Sequence, residues 1–564
     1  MKLGLQLLGL LSLTVLFSSM HASAAKAEEC VVASVNPLAT QAGLNAFAEG
    51  GNAVDAAIAT ALTLGVVDNH NSGLGGGCFI LIRKPDGSLV AIDGREKAPA
   101  AATRDMYVRD GVAQPELSTT GPLAVGVPGA LAAYSLATEK CGQLSLPQLL
   151  LPAAEIAAEG FALDRVYTRK LAATAATLAR VNGSKCSLLK PDETPYAEGE
   201  ILRQPDLANS YRQIAEHGMD WFYRGEFAKQ VGQWMADNGG ILTAADFADY
   251  ESKQREPLVT TYRDWQIVGF PPPSSGGVHV AQMLNILENF NLAQEFKNDP
   301  VRASHLIVEA MKLAFVDRAY WLGDADFVDV PRGLIDKDYA KTLAERIDPN
   351  KATPVPLHGD PPRASENLFG KHTTHIASAD SLGYWVAITA TVNTTFGSKV
   401  IVPGTGIVLN NEMDDFSSQP GVPNAFGLIG AENNSIAPGK RPLSSMSPTI
   451  VLDSDGEPVL TVGAAGGPKI ITQVLQTIIR KLDLNEDLAD AVAAPRIHHQ
   501  WYPDSVLAEN SLPKEIIEGL KKHGHQIEGT SSSGVTQAVA LDANGKLIGV
   551  HDPRVPGKAG SVTR

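Results

Sequence analysis

The segment that most restricts the fold is Ile470 to Leu482. Its apolar residues Ile470, Ile471, Val474, Leu475, Ile478, Ile479 and Leu482 recur at helical spacing, so one whole face of this helix must be covered. Strands are at hand to cover it. Thr449 to Leu452 and Val459 to Gly463 lie just before the helix and are short, apolar and rich in β-branched residues, as is Ile407 to Leu409. An apolar helical stripe packed on such strands predicts an α/β fold of layered helices and sheets, with no internal repeat.

The rest of the chain fits that plan. Leu38 to Glu49 and Ala53 to Leu64 read as a helical hairpin, broken at Gly50-Gly51 and restarted by Asn52 as a cap, with Asp55 in the first turn. Gly73, Gly75, Gly76 and Gly77 then lead into Cys78 to Ile82, a buried strand. A phosphate-binding loop follows a strand and opens a helix; this glycine cluster does the reverse and reads as a tight turn between close backbones. From Pro122 to Leu343 Ala/Leu-rich helices dominate, among them Leu146 to Glu159 and Ala303 to Trp321, and the run Pro271 to Gly277 reads as a rigid connector. After Asp348 the texture loosens into a proline-rich stretch reaching Lys371, an exposed linker. Beyond it Thr373 to Ala379 and Tyr384 to Thr391, joined by Ser381-Leu382-Gly383, predict a β-hairpin.

Composition removes several classes. At 564 residues, 44% hydrophobic and 19% charged, the chain is long and apolar enough for a large core, which sets aside disordered and fibrous proteins. A net charge of −15 with no long Lys/Arg run argues against nucleic acid as a partner. Lys2, the apolar run Leu3 to Phe17 and Ala22-Ser23-Ala24 have the layout of a cleavable export signal over residues 1–24. That run falls short of the about 20 residues of a membrane span, so stable membrane insertion is not expected. Cys30 follows Glu28 and Glu29, which is no lipid-attachment site. Cys30, Cys78, Cys141 and Cys186 leave disulfide pairing open and lack the close Cys/His spacing of a structural zinc site.

The chemistry concentrates after the linker. A threonine hydroxyl needs a base to become a nucleophile, and an N-terminal threonine carries one in its own α-amine, whose unperturbed pKa is about 8. Thr373 stands where proline-rich linker meets strand, a place where a strained, accessible peptide bond would break to expose it. Thr391 and Asn393, two apart on the partner strand, would share a face and bond to the nucleophile and to a substrate amino acid. Glu412 and Asp415 would hold an ammonium group beside a pocket. The hydroxyls of Arg441 to Thr449 would receive a carboxylate without adding charge. Gly466 and Gly467, at the start of the amphipathic helix, would offer free N–H groups to an oxyanion. No GxSxG elbow is present, which argues against a serine hydrolase of the α/β type.

Taken together, Thr373-Thr374-His375, Thr391 to Gly397, Asn410 to Phe416, Arg441 to Thr449 and Gly466-Gly467 resemble the γ-glutamyltransferase family in both order and spacing. The resemblance extends to Gly50 to Ala57, Leu74 to Phe79, Arg95 to Pro99, Pro271 to Gly277 and Ala494 to Trp501, and so covers nearly the whole chain after the signal. It implies an N-terminal-nucleophile hydrolase with an αββα sandwich, made as a precursor and cut between His372 and Thr373 into a large part, 25–372, and a small part, 373–564. It further implies Thr373 as nucleophile, Thr391 as its hydrogen-bonding support, and the Gly466 and Gly467 amides as oxyanion hole. Arg95, Ser444 and Ser445 resemble the α-carboxylate site, and Asn393, Glu412 and Asp415 the α-amino site.

The implied reaction cleaves the γ-glutamyl amide of glutathione and related donors, with water, amino acids or peptides as acceptors and with no cofactor or metal; the export signal points to a periplasm. Ser417 to Asn434 resembles the family's lid loop, with Phe426 where a tyrosine is common; Ala464-Ala465 stands where Ser-Pro is expected. A cephalosporin or glutaryl acylase is the nearest alternative, but its substrate would give Glu412 and Asp415 no ammonium partner. A non-catalytic binding protein on this scaffold would have lost Thr373 or its partners. His498-His499 is expected to be structural.

Overall fold

The computed structural model describes residues 29–183, 186–362 and 375–563. Two antiparallel sheets lie face to face. The first has seven strands in the order Lys558–Thr563, Glu29–Ser34, His375–Ala379, Trp385–Thr391, Gly77–Arg83, Leu89–Gly94 and Lys253–Arg255. The second has six, Leu547–His551, Val535–Leu541, Pro458–Ala465, Thr449–Leu452, Trp265–Gly269 and Leu258–Tyr262. A dry layer that includes Phe79, Phe270, Ala377, Ala387, Ile450 and Val539 fills the space between them, with the Phe79 and Phe270 rings stacked at 4.3 Å. Burying both faces of a sheet selects near-continuous apolar strands, which is why Trp385–Thr391 is buried at every position.

Helices close both outer faces. Pro37–Ala48 and Ala53–Val67 pack on the first sheet with Leu146–Glu159 against them, while Ser275–Leu287 and Lys469–Leu482 pack on the second with Pro300–Trp321 against Ser275–Leu287. The predicted αββα order is therefore present. The helical hairpin turns where expected: Asn52 Oδ1 accepts from the Val54 and Asp55 amides and Asp55 Oδ2 from the Asn52 amide, a reciprocal cap. The Ile470 to Leu482 stripe is buried from Ile470 to Ile479 beneath the second sheet.

Glycines set the closest approaches. A Cβ on Gly76 would stand 1.8 Å from the Thr391 carbonyl oxygen, and one on Gly463 would stand 2.3 Å from His375 Nδ1. The first contact locks the glycine turn under the end of the Trp385–Thr391 strand. The second lets the His375 ring sit between the sheets where the described chain resumes after the linker.

Four sequence expectations are corrected. Ile407 to Leu409 is no strand; it makes one isolated bridge, Ile401 with Val408, and is buried as a loop against Gly75 and Ser398, since burial alone does not distinguish loop from strand. Asn393 is not on the strand with Thr391, which ends it; its φ of +77° places it in a left-handed turn that asparagine tolerates. Ser275 to Gly277 is the buried first turn of a helix rather than a connector. Part of the proline-rich stretch is pinned rather than free: Trp501 Nε1 donates to the Val355 carbonyl at 2.8 Å, and the Gly359 amide to Asp317 Oδ1 at 2.7 Å. The export signal and residues 363–374 lie outside the described residues.

None of the four cysteines, all buried, is in a disulfide. Among the described residues, no helix is long and apolar enough to cross a membrane.

Candidate active site

The strands and loops that carried the sequence motifs converge on one cavity of about 540 Å3, in the about 300–1,000 Å3 class that buries a peptide-sized ligand. Asn393, Asp415, Ser445, Gly466 and Gly467 line it. Thr391, Arg95, Glu412 and Ser444 are not among its lining residues; they are buried behind the wall. Thr373 lies outside the described residues.

The turn after Trp385–Thr391 is held by its own strand end. Thr391 Oγ1 accepts from the Asn393 amide at 2.7 Å, and Asn393 Nδ2 donates to the Asn411 carbonyl at 2.9 Å. A strained residue fixed from two sides presents its backbone at a set position in the cavity.

Behind Asp415 lies an ion cluster. The buried Arg95 guanidinium donates to Glu412 Oε1 through a short contact, to Asp415 Oδ2 at 2.7 Å and to Glu96 Oε2 at 3.3 Å. Burial pushes Glu96 up to about 7 and Glu412 well above the ordinary carboxylate range, with Arg95 opposing both. Glu412 Oε2 is buried and, among the described residues, has no N–H or O–H donor. Arg95 is thus engaged by the carboxylates assigned to the α-amino site, not by Ser444 or Ser445.

A different guanidinium faces those serines. Arg318, buried on the Pro300–Trp321 helix, donates from Nε to Ser275 Oγ at 2.9 Å and from Nη2 to Ser445 Oγ at 3.4 Å. Ser275 Oγ in turn donates to the Ser444 carbonyl. Burial pulls the Arg318 guanidinium down to about 10, Asp415 opposing, so it stays charged at neutral pH. Neither Arg318 nor Ser275 was singled out from sequence. The available signal was a charge on a helical stripe with Met311, Ala314 and Phe315.

Across the cavity, Gly466 and Gly467 join the Pro458–Ala465 strand to the Lys469–Leu482 helix with φ of +137° and +62°. Neither amide donates to a backbone carbonyl among the described residues. The Phe426 ring lies over Gly467, where a Cβ would be 2.7 Å from its Cδ1. Its segment is tied down: Gln500 Nε2 donates to the Phe426 carbonyl at 3.2 Å, the Ala425 amide to Asp414 Oδ2 at 3.0 Å, and Asn424 Nδ2 to Asp415 Oδ1 at 3.3 Å. His498 supports this arrangement, meeting Thr472 Oγ1 at 2.9 Å and Gln500 Oε1 at 3.0 Å.

Two sheets between helical layers, with free amides facing polar groups across a cavity, define the architecture of the N-terminal-nucleophile hydrolases. The family model "Gamma-glutamyltranspeptidase" matches residues 39–562. A glutathione hydrolase proenzyme of Escherichia coli K12 is 43% identical over 539 residues, covering 94% of this chain and 91% of the relative. Among solved structures, cephalosporin acylase from Bacillus halodurans superposes with a TM-score of 0.85 at 28% identity, covering 98% of this chain and 99% of that one. Helicobacter pylori γ-glutamyltranspeptidase gives 0.56 at 40% identity, covering 57% and 92%. The chain belongs to the γ-glutamyltranspeptidase family of enzymes.

Proposed function

We propose that the chain is exported, loses residues 1–24, and cleaves itself between His372 and Thr373 into a large and a small subunit that stay together. Thr373 then attacks the γ-carbonyl of glutathione or a related γ-glutamyl amide, its α-amine taking the hydroxyl proton and passing it to the departing amine. The C–N bond breaks, a γ-glutamyl ester forms on Thr373, and water or an amino acid acceptor releases it. Thr391 supports the nucleophile. The Gly466 and Gly467 amides stabilise the oxyanion, where preorganised donors are worth most.

The observation that carries this reading is the composition of the cavity wall. Asp415 and Asn393 with Ser445 suit the ammonium and carboxylate ends of a glutamyl group, and the paired glycine amides suit its carbonyl. Glu412, behind the wall, holds Arg95 against Asp415 and adds negative potential on the ammonium side. Ser444, Ser445 and Arg318 form the carboxylate side, while Arg95, bound to Glu412 and Asp415, braces the ammonium side instead.

The structural likeness to a cephalosporin acylase makes glutaryl amides the second candidate substrate. Asp415 on the cavity wall favours γ-glutamyl, because a glutaryl group brings it no ammonium.

The test is mass analysis of wild type and Thr373→Ala, with release of a chromogenic amine from a γ-glutamyl anilide and a glutaryl anilide. The expected result is a wild type cut before Thr373 and active on the γ-glutamyl donor, beside an uncut, silent variant. An active, uncut wild type would sink the autoprocessing step, and activity on the glutaryl donor alone would move the assignment to an acylase.

A further inference from the structure

The cavity continues past Gly467 to Pro468, Lys469, His498, Gln500 and Leu507. None of these serves the γ-glutamyl group in the reading above. Lys469 stands out for its isolation: its ammonium has no hydrogen bond and no ion pair with any described residue. Glu509, the carboxylate whose field it feels, is already committed, accepting from Arg554 Nη2 at 2.5 Å and from the Ser533 amide at 2.8 Å. Burial holds the Lys469 ammonium below the ordinary lysine range. A half-buried cation without a counter-charge, on the wall of a cavity, is an anion site in waiting.

Its position sets which anion. Lys469 is two residues after Gly467, so their Cα atoms are at most about 7.6 Å apart. A dipeptide leaving the carbonyl held at Gly466 and Gly467 extends about 7 Å, which brings its terminal carboxylate within reach of a lysine side chain. Lys469 is also the first residue of the 14-residue Lys469–Leu482 helix, whose N-terminal end adds positive potential and fixes the Cα. The neighbours fit a small peptide rather than a bare amine: Leu507 and Pro468 offer apolar wall, and His498, kept neutral by burial, adds no competing charge.

We propose that Lys469 binds the C-terminal carboxylate of the peptide on the departing side of the scissile amide, and of a peptide acceptor in the reverse direction. This rests on the γ-glutamyl reading above and adds to it a specificity: donors that release a peptide with a free carboxylate are preferred over those that release a neutral amine.

The experiment compares three donors, glutathione, glutathione with its glycine carboxylate converted to the amide, and a γ-glutamyl anilide, on wild type, Lys469→Met and Lys469→Arg. The expected result is a rise of about 10-fold in KM for glutathione in Lys469→Met, the loss of one charge-assisted hydrogen bond. KM for the amide and the anilide should stay as in wild type, which also reports that the variant is folded, and Lys469→Arg should restore most of the glutathione affinity. Equal shifts for all three donors, or none for glutathione, would overturn the assignment of Lys469 while leaving the γ-glutamyl reading intact. Failure of wild type to turn over any of the three would overturn that reading and this one with it.

Discussion

Replacing Gly467 with alanine tests the oxyanion hole where the structure is least forgiving. The backbone there has φ of +62°, a region that costs a residue with a Cβ about 1–2 kcal/mol. The new methyl carbon would stand 2.7, 3.0 and 3.3 Å from Cδ1, Cε1 and Cγ of Phe426, so either the ring or the glycine turn must move. The ring's backbone is held by Gln500 and the Ala425 amide by Asp414, which directs much of the adjustment to the turn itself. A turn that swings by even part of an ångström carries its N–H off the oxyanion, and loss of one such donor costs about 10²–10³ in kcat.

The expected result for Gly467→Ala is therefore a fall in kcat of about 10²-fold or more on a γ-glutamyl anilide, with KM changed by only a few fold, since the proposed function assigns ground-state binding to Asp415, Asn393 and Ser445. The assay is steady-state kinetics, preceded by mass analysis so that only cleaved protein is compared. Trimming the ring in Gly467→Ala/Phe426→Leu should recover part of kcat if the collision displaces the turn. A cleaved Gly467→Ala protein with wild-type kcat would refute the oxyanion role of this amide.

Three further outcomes follow from the same geometry. Arg318→Met should leave thermal stability unchanged or raised, because it removes a buried charge that no carboxylate among the described residues directly pairs, yet raise KM for γ-glutamyl donors; a carboxylate about 6 Å away at an effective dielectric of about 20 is worth about 2.8 kcal/mol, an upper figure near 100-fold. Titration of stability should reveal His498, whose burial holds the imidazole down at about 3: its contribution is present above the unfolded value of 6.5 and lost as pH falls toward 3, so His498→Asn should flatten the dependence of the urea midpoint on pH in that window. Asn52→Ala should lower stability by about 1 kcal/mol in the same denaturation assay, since it removes the cap acceptor for the Val54 and Asp55 amides and the donor to the Cys141 carbonyl.

Much of this protein is local, and local patterns are legible in a sequence. The helical stripe of Ile470 to Leu482, the Asn52 cap, the β-branched hairpin after the linker and the glycine turn before Cys78 each follow from periodicity or from one residue's backbone preference, and each stands in the structure. The same is true of the motifs at Glu412 to Asp415, Ser444-Ser445 and Gly466-Gly467, whose order along the chain matches that of a known family.

What only the tertiary structure decided is partnership. That Arg95 is neutralised by Glu412 and Asp415 while Arg318, from a helix more than one hundred residues before Ser445 in sequence, faces the serines is a matter of long-range contacts with no sequence period. Asn393 left its strand because Thr391 Oγ1 and the Asn411 carbonyl hold it in a turn, and Ile407 to Leu409 became a loop because its backbone found partners such as Ser398 and Val400 rather than a strand. A residue's type limits which bonds it can make; which neighbour answers them is set when two sheets and their covering helices close on one another.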